Sequence, residues 1–168
     1  MRQLICGLIA MTISSITGVT FGQQAHPQPS PGNQVEASFT ASDRGQVDYL
    51  ISIPPDYVSD GDPVPLMLFL HGRGESYGLV SLVAKWGPPM MAARGQHFPF
   101  LLVSPQCPGD DSWSSETQQQ RLVELLDHIE KNYNIDEMRV YVTGLSMGGY
   151  GSWRLAADHP ERFAAVVP

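Results

Sequence analysis

The sequence predicts an α/β fold in which a mostly parallel sheet carries helices on both faces. Residues 66–70 form an uninterrupted apolar run between turn residues, a pattern typical of a strand that is buried on both faces. A second β-prone run, residues 140–142, leads directly into a glycine-rich turn and then a helical pattern. Because strands and helices alternate along the chain, parallel strands joined by helical crossovers are expected.

The first predicted strand precedes the buried run. Residues 46–53 alternate, and the apolar side chains on one face are Val47, Tyr49, Ile51 and Ile53. Residues 98–103 predict the next strand, whereas residues 77–85 and 88–94 predict weak helices. Along the chain, one predicted strand therefore precedes residues 66–70 and another follows them.

The second half of the chain contains the strongest helical pattern. Ser115 and Gln118 have the spacing of a capping box, and the apolar stripe behind them consists of Leu122, Leu125, Leu126 and Ile129. Residues 133–137 predict a turn before the strand at residues 140–142. Asp158, His159 and Pro160 end the last helix, and His159 is expected to be a helix-end histidine that bonds to the last carbonyl groups.

Ser146 lies in the turn Gly144-Leu145-Ser146-Met147-Gly148, which has the pattern G-x-S-x-G. A serine nucleophile must project from a sharp turn, and glycines at its two ends remove Cβ atoms that would collide there. A helix that begins at Met147 points its free N–H groups and positive dipole end toward Ser146, where they would stabilise negative charge. The alternative is a glycine-rich turn in which Ser146 only caps a helix.

A second loop with suitable chemistry follows residues 66–70. In His71-Gly72-Arg73-Gly74, glycines flank Arg73, so the backbone can approach a ligand and the Arg73 N–H can point into a cleft. This arrangement predicts the second donor of an oxyanion hole, with the Met147 N–H as the first. The alternative is a plain connecting loop in which His71 bonds to the backbone.

The long loop at residues 104–113 is expected at the carboxyl end of a strand, where open α/β sheets bind ligands. Trp113 would either line a pocket there or pack in the core. Asp110 and Asp111 are expected to be solvated turn residues. Cys107 would be the one cysteine left after removal of a signal peptide, and it is expected to be buried and inert.

Composition limits the possible partners. The formal net charge is −7 and 42% of the residues are hydrophobic, which suits one soluble globular domain. The acidic balance disfavours nucleic acid and anionic membrane surfaces as partners. The five histidines are scattered without ligand spacing, so neither a metal site nor a cofactor is predicted.

The N-terminal residues predict how the protein is targeted and where its folded domain begins. Residues 1–22 predict a signal peptide, because Arg2 precedes an apolar run and Thr20 and Gly22 are small residues at a cleavage site. A retained membrane anchor is the alternative. Export would place the protein outside the cell or in the periplasm, with no stable membrane anchoring after cleavage. Residues 23–42 are predicted to be a flexible linker and residues 43–168 a hydrolase domain.

The last residues, 163–168, resemble a strand that has only begun. We therefore expect the chain to be the N-terminal part of a longer protein, cut after the strand that follows the Ser146 helix.

Four segments resemble secreted bacterial α/β-hydrolases, namely the predicted peptidases and esterases near the prolyl oligopeptidase and polyhydroxybutyrate-depolymerase-like families. The segments are Leu70-His71-Gly72-x-Gly74-Glu75, Phe98-Pro99-Phe100-x-x-Val103-Ser104-Pro105-Gln106-Cys107-Pro108, Gly144-Leu145-Ser146-Met147-Gly148-Gly149-Tyr150-Gly151-x-Trp153 and His159-Pro160-Glu161-Arg162-Phe163.

The resemblance implies an α/β-hydrolase fold and a Ser–Asp–His hydrolase that needs no cofactor. It makes Ser146 the nucleophile and the backbone N–H groups of Met147 and Arg73 the oxyanion donors. Its substrate would be a small-molecule or polymeric ester or peptide, with esters favoured because they are easier acyl donors. In such enzymes the acid and the histidine lie later in the chain, and no residue of this sequence matches them.

A chain without these partners is expected to be inactive or nearly so, because loss of the base leaves only about 10³–10⁴-fold catalysis over water. Two other classes remain open from the sequence. One is a non-catalytic binding module on a hydrolase fold, and the other is a structural or interaction protein with an accidental serine turn.

Overall fold

The computed structural model describes residues 29–168. The predicted signal peptide at residues 1–22 and the first part of the predicted linker lie outside the described residues. None of the helices within the described part is long and apolar enough to cross a membrane.

The described residues form one six-stranded sheet with the strand order β1-β2-β4-β3-β5-β6. Its strands are β1 (Gln34–Thr40), β2 (Gln46–Ser52), β3 (Val64–Leu70), β4 (Leu101–Pro105), β5 (Ile135–Gly144) and β6 (Ala165–Val167). The pairs β3–β4, β3–β5 and β5–β6 are parallel, whereas β1–β2 and β2–β4 are antiparallel. The prediction of a mostly parallel sheet is confirmed.

Helices cover both faces of this sheet. The α-helices are α1 (Gly87–Ala93), α2 (Glu116–Asn132) and α3 (Met147–Asp158), and the 3₁₀ helices span Arg73–Glu75, Val80–Lys85 and Pro160–Arg162. The main core joins one sheet face to α2 and α3 and includes the predicted strand face at residues 47–53 and the predicted α2 stripe. On the opposite face, Leu50 packs against Val80 and Val83 in a second cluster.

Several predicted boundaries differ from the structure. Residues 34–40, inside the predicted flexible linker, form β1, because their backbone pairs with β2 over seven residue pairs. The predicted strand at residues 98–103 begins only at Leu101, since pairing with β3 starts there, opposite Leu66. The predicted turn at residues 133–137 is largely strand, because Ile135 pairs with Val64 across a register shift. The weak helix predicted at residues 77–85 is a shorter 3₁₀ helix.

Only one of the two hydrogen bonds of the predicted capping box is formed at the start of α2. The Ser115 hydroxyl accepts a hydrogen bond from the Gln118 backbone N–H at 3.2 Å. The Gln118 side chain does not return to the Ser115 backbone, however, because its amide donates to Asp111 Oδ2 at 2.9 Å.

The parallel strands bring the predicted site loops together. Leu70, the last residue of β3, lies opposite Gly144, the last residue of β5. β4 runs parallel to β3 on its other side. The loops that follow these three strands therefore meet at one edge of the sheet, the usual position of ligand sites in such folds.

Candidate active site

Ser146 adopts an unusual backbone conformation. Its φ of 54° and ψ of −111° are strained for a residue other than glycine. Such strain costs on the order of 1–3 kcal/mol and persists only where the surroundings enforce it. The conformation lifts an exposed Ser146 side chain out of the turn between β5 and α3. This geometry matches that of a nucleophile elbow.

Two glycines make this turn possible. A Cβ atom at Gly144 would overlap the carbonyl group of Gly148, and a Cβ atom at Gly148 would overlap the carbonyl oxygen of Leu70. The start of α3 therefore packs directly against the ends of β5 and β3. This close approach, rather than helix capping, explains the glycines of the G-x-S-x-G pattern.

The start of α3 leaves donors free near Ser146. Met147 is the first residue of α3, and within the described residues its N–H donates no hydrogen bond to a protein acceptor. Gly148, one residue later, donates to the Leu145 carbonyl at 2.8 Å. The Ser146 side chain makes no capping hydrogen bond, so the alternative of a simple helix cap is wrong. Positive helix-dipole potential and the free Met147 N–H are thus both available beside Ser146.

The His71-Gly72-Arg73 loop lies next to this turn. A Cβ atom at Gly72 would stand 3.8 Å from the Ser146 Cβ and 3.5 Å from the Leu145 carbonyl oxygen. Arg73 begins a 3₁₀ helix, and in the described part of the chain its N–H has no protein acceptor. The structure thus brings both predicted donor residues, Arg73 and Met147, into the neighbourhood of Ser146.

His71 stabilises this loop, and both of its ring nitrogens are hydrogen-bonded to the backbone. Its Nε2 accepts a hydrogen bond from the Cys107 N–H at 2.9 Å, so Nδ1 carries the proton and donates to the Gly72 carbonyl at 2.6 Å. The ring is only 1% exposed, and burial lowers the pKa of His71 despite the opposing effects of Gly72 and Glu75. His71 is therefore a neutral structural residue, and neither nitrogen is free to act as a base for Ser146.

Trp113 packs in the core rather than lining a pocket, which decides between the two alternatives left by the sequence. Its indole N–H donates to the His71 carbonyl at 3.0 Å, and its ring lies edge-on to the His71 ring with centroids 5.2 Å apart. A Cβ atom at Gly151 would overlap the Trp113 Cβ. Trp113 therefore ties the loop after β3 to α3.

The Arg73 side chain stabilises the long loop after β4. Its Nη1 donates to the carbonyl oxygens of Gly109 and Asp111. Asp111 is a half-buried turn residue that also accepts from the Ser112 N–H and from Gln118. Partial burial raises the pKa of Asp111, but these hydrogen bonds together hold it below the ordinary value. Asp110 is exposed, as expected.

Glu75 is a site neighbour that sequence reasoning missed. It is 5% exposed, and its Oε2 lies 3.2 Å from the position of a Gly72 Cβ. Its charged partner is Lys85, at 3.7 Å from Nζ to Oε1. The only signal in the sequence was its place in the His71–Glu75 segment, since a charged residue in a loop is ordinarily exposed.

The base and acid of a catalytic triad are not found among residues 29–168, where no side chain forms a hydrogen bond with Ser146 Oγ. His159 lies at the far end of α3, roughly 18 Å along the helix axis. Its ring is 4.0 Å from Glu161 and is not bonded to the last carbonyl groups, contrary to expectation. The described residues also contain no cluster of potential metal ligands.

Cys107 is a buried free thiol, as predicted. Burial raises the pKa of Cys107 to about 12, so the thiol stays protonated and unreactive at neutral pH.

Comparison with known proteins points to esterases. Residues 92–167 match a protein-family model described as "Putative esterase". The chain is 30% identical over 128 residues to a poly(3-hydroxyalkanoate) depolymerase C from Paucimonas lemoignei, covering 67% of this chain and 29% of that protein. It is 29% identical over 107 residues to a bifunctional acetylxylan esterase/xylanase from Neocallimastix patriciarum, covering 62% and 15%.

A solved structure of a thermostable esterase superposes with a TM-score of 0.68 at 31% identity, covering 81% of this chain and 40% of that one. The chain spans less than half the length of each of these three proteins. The chain thus has an α/β-hydrolase fold, and its similarities support an esterase-type hydrolase.

Proposed function

We propose that this chain, an α/β-hydrolase similar to esterases, carries the nucleophile and oxyanion hole of a serine esterase. The observation that carries the proposal is the strained, exposed Ser146, held beside the free N–H groups of Met147 and Arg73. A binding surface has no need of a strained serine aimed out of a turn, whereas acyl transfer does.

In the proposed reaction, Ser146 Oγ attacks the acyl carbon of an ester. The bond to the alcohol breaks, and the acyl group remains on Ser146 until water hydrolyses it. Negative charge develops on the carbonyl oxygen, and the Met147 and Arg73 N–H groups would donate to it. Each such donor typically contributes about 2.7–4 kcal/mol to the transition state.

The reaction also needs a base to accept the Ser146 proton. His71 is excluded because both of its ring nitrogens are occupied. His159 cannot be this base because it lies at the other end of α3 from Ser146. The base and its acid would therefore come from outside residues 29–168, and these residues alone are expected to be nearly inactive.

Esters are the preferred substrate class, and peptides are the second candidate. The relatives include a poly(3-hydroxyalkanoate) depolymerase and a bifunctional acetylxylan esterase/xylanase. Both names describe ester bonds carried on polymers, which supports a polymeric or small-molecule ester here. Export to the periplasm or the medium is also proposed, and it rests on the sequence of residues 1–22.

A fluorophosphonate probe tests the proposal directly on the whole protein. We expect covalent labelling that maps to Ser146 and a burst of product with p-nitrophenyl acetate. The Ser146→Ala variant should abolish both, whereas the exposed Ser59→Ala control should retain both. A folded protein that binds esters but is not labelled would instead indicate a binding module.

A further inference from the structure

The loop after β3, residues 71–75, is joined to the loop after β4 at both of its ends. At the first end, the buried Trp113 indole N–H donates to the His71 carbonyl at 3.0 Å. At the second end, the Gln106 side chain donates to the Glu75 carbonyl at 2.9 Å. We call residues 71–75 the oxyanion loop, because they include one of the two proposed oxyanion donors. That donor lies in the middle of the loop, between these two bonds.

Arg73 is the middle residue of the oxyanion loop, and its neighbours are Gly72 and Gly74. Glycine leaves the backbone more conformations than any other residue does. A Cβ atom at Gly74 would have no neighbour within 4 Å, so packing does little to hold the backbone on that side. An N–H group in such surroundings needs a further contact if it is to keep one position.

The Arg73 side chain supplies a contact of this kind. Its Nη1 donates at 3.2 Å to the carbonyl oxygen of Gly109 and also donates to that of Asp111. These acceptors follow Arg73 by 36 and 38 positions and belong to the loop after β4. Because Nη1 carries two N–H groups, one nitrogen can serve both carbonyls. The side chain therefore anchors the backbone of its own residue to the neighbouring loop.

The position of the Arg73 N–H matters more for the transition state than for the bound substrate. Negative charge develops on the substrate oxygen only as the reaction proceeds, and a donor must lie within hydrogen-bond distance of that oxygen. Loss of such a donor typically lowers kcat about 10²–10³-fold, and a misplacement of about 1 Å can cost about 10²-fold. A displaced donor should therefore slow acyl transfer while substrate affinity changes little.

Arg73 can be altered without disturbing the core. Its side chain is exposed, whereas Trp113 and His71 are each 1% exposed. A substitution at Arg73 removes the two side-chain hydrogen bonds, opens no cavity and leaves the backbone N–H in place. Its effect on the reaction can thus be separated from an effect on folding.

We propose that the Arg73 side chain positions the Arg73 backbone N–H in the oxyanion hole by anchoring it to the loop after β4. Arg73 thus serves the reaction twice, through its N–H as a donor and through its guanidinium as a positioning group. This inference rests on the proposed function and deepens it by adding a positioning group to the same site.

Pre-steady-state hydrolysis of p-nitrophenyl acetate by the whole protein tests the positioning role. Arg73→Met keeps an unbranched stem but no donors, and it should lower the acylation rate constant about 5- to 100-fold. The dissociation constant of the substrate should change less than about two-fold. Arg73→Lys, which keeps a charged donor, should recover part of the rate. Arg94→Met, at an exposed arginine that ends α1, is the matched control and should leave both constants unchanged.

Three kinetic results would overturn the proposal. The first is an acylation rate in Arg73→Met equal to that of wild type. The second is weaker substrate binding with unchanged acylation, which would make the guanidinium a substrate-binding group. The third is an Arg73→Lys protein as slow as Arg73→Met, since the loss would then not follow the donors.

Hydrogen exchange measured by mass spectrometry tests the anchoring without catalysis. The Glu75 and Ser76 N–H groups donate to carbonyls within the loop, so their exchange reports its opening. Exchange in a peptide that covers residues 71–76 should be at least about three-fold faster in Arg73→Met than in wild type or Arg94→Met. Unchanged exchange overturns the proposal. If wild-type protein is neither labelled by the fluorophosphonate nor able to hydrolyse esters, the esterase proposal fails, and the exchange rates still decide whether the side chain anchors the loop.

Discussion

The Trp113 indole N–H donates a 3.0 Å hydrogen bond to the carbonyl oxygen of His71, although 42 positions separate the two residues. This bond joins the loop after β3 to the loop after β4 inside the core. It fixes the backbone from which Gly72 and Arg73 reach the neighbourhood of Ser146.

Replacing Trp113 by Phe should therefore destabilise the fold. The change leaves the buried His71 carbonyl without its donor, and an unpaired buried group costs about 1–3 kcal/mol. Urea denaturation followed by circular dichroism measures the free energy of unfolding. The control is Trp86→Phe, which alters a half-exposed ring. This substitution should change the free energy of unfolding by no more than about 0.5 kcal/mol. Equal effects of the two substitutions would contradict the role given to Trp113.

Gly148→Ala should be far more harmful than Gly74→Ala. A Cβ atom at Gly148 would collide with the Leu70 carbonyl, whereas one at Gly74 would have no neighbour within 4 Å. Overpacking typically costs about 1–3 kcal/mol, and here the obstacle is backbone that cannot rotate away. Thermal unfolding of the two variants makes a matched comparison. A Gly148→Ala protein as stable as wild type would show that α3 does not pack as closely on β3 as described.

Acid should weaken the fold through His71. Burial lowers the pKa of folded His71 below that of an unfolded histidine, about 6.5. As the pH falls below about 6.5, the unfolded chain takes up a proton that the folded chain refuses, so stability declines until the folded pKa is reached. The stability that the neutral ring contributes is thus fully present above pH 6.5.

His71→Gln tests this pH dependence, because an amide keeps a donor and an acceptor but does not titrate in this range. The slope of unfolding free energy against pH between about 4.5 and 6.5 should become shallower in the variant. His128, whose pKa is also lowered by burial, is more exposed, so His128→Gln should reduce the slope less. An identical slope in wild type and His71→Gln would exclude His71 as the source.

The pair formed by Glu75 and Lys85 should show coupling in a double-mutant cycle. Glu75 is buried, and Lys85, whose side chain is 55% exposed, is its cationic partner at 3.7 Å. Lys85→Met leaves a buried carboxylate without that partner, so it should destabilise the protein more in the wild-type background than in Glu75→Gln. The coupling should be on the order of 0.5–2 kcal/mol, since water reaches the Lys85 side. Additive effects of the two substitutions would show that the pair contributes no net stability.

The Ser146 turn could be predicted from sequence because its geometry is local. Gly144, Ser146 and Gly148 lie within five residues, and the strand before them and the helix after them have their own propensities. The buried run of β3 and the α2 stripe were predicted for the same reason, since their periodicity is visible within one element.

Other features depend on contacts between distant residues, which composition does not reveal. β1 lies within a segment whose prolines and polar residues suggested a linker, yet its backbone pairs with β2. Glu75 is a charged loop residue that the folded chain nevertheless buries, close to Gly72 and 3.7 Å from Lys85.

The sequence by itself determined the α/β alternation, the G-x-S-x-G turn at Ser146 and the glycines that allow it, because these follow from local propensity and steric exclusion. The tertiary structure alone decided that Trp113 is structural, that both ring nitrogens of His71 are occupied, and that Arg73 lies in the neighbourhood of Ser146. The physical reason is that these hydrogen bonds join residues 36 and 42 positions apart in the chain, and the sheet pairing dictates how their segments approach each other.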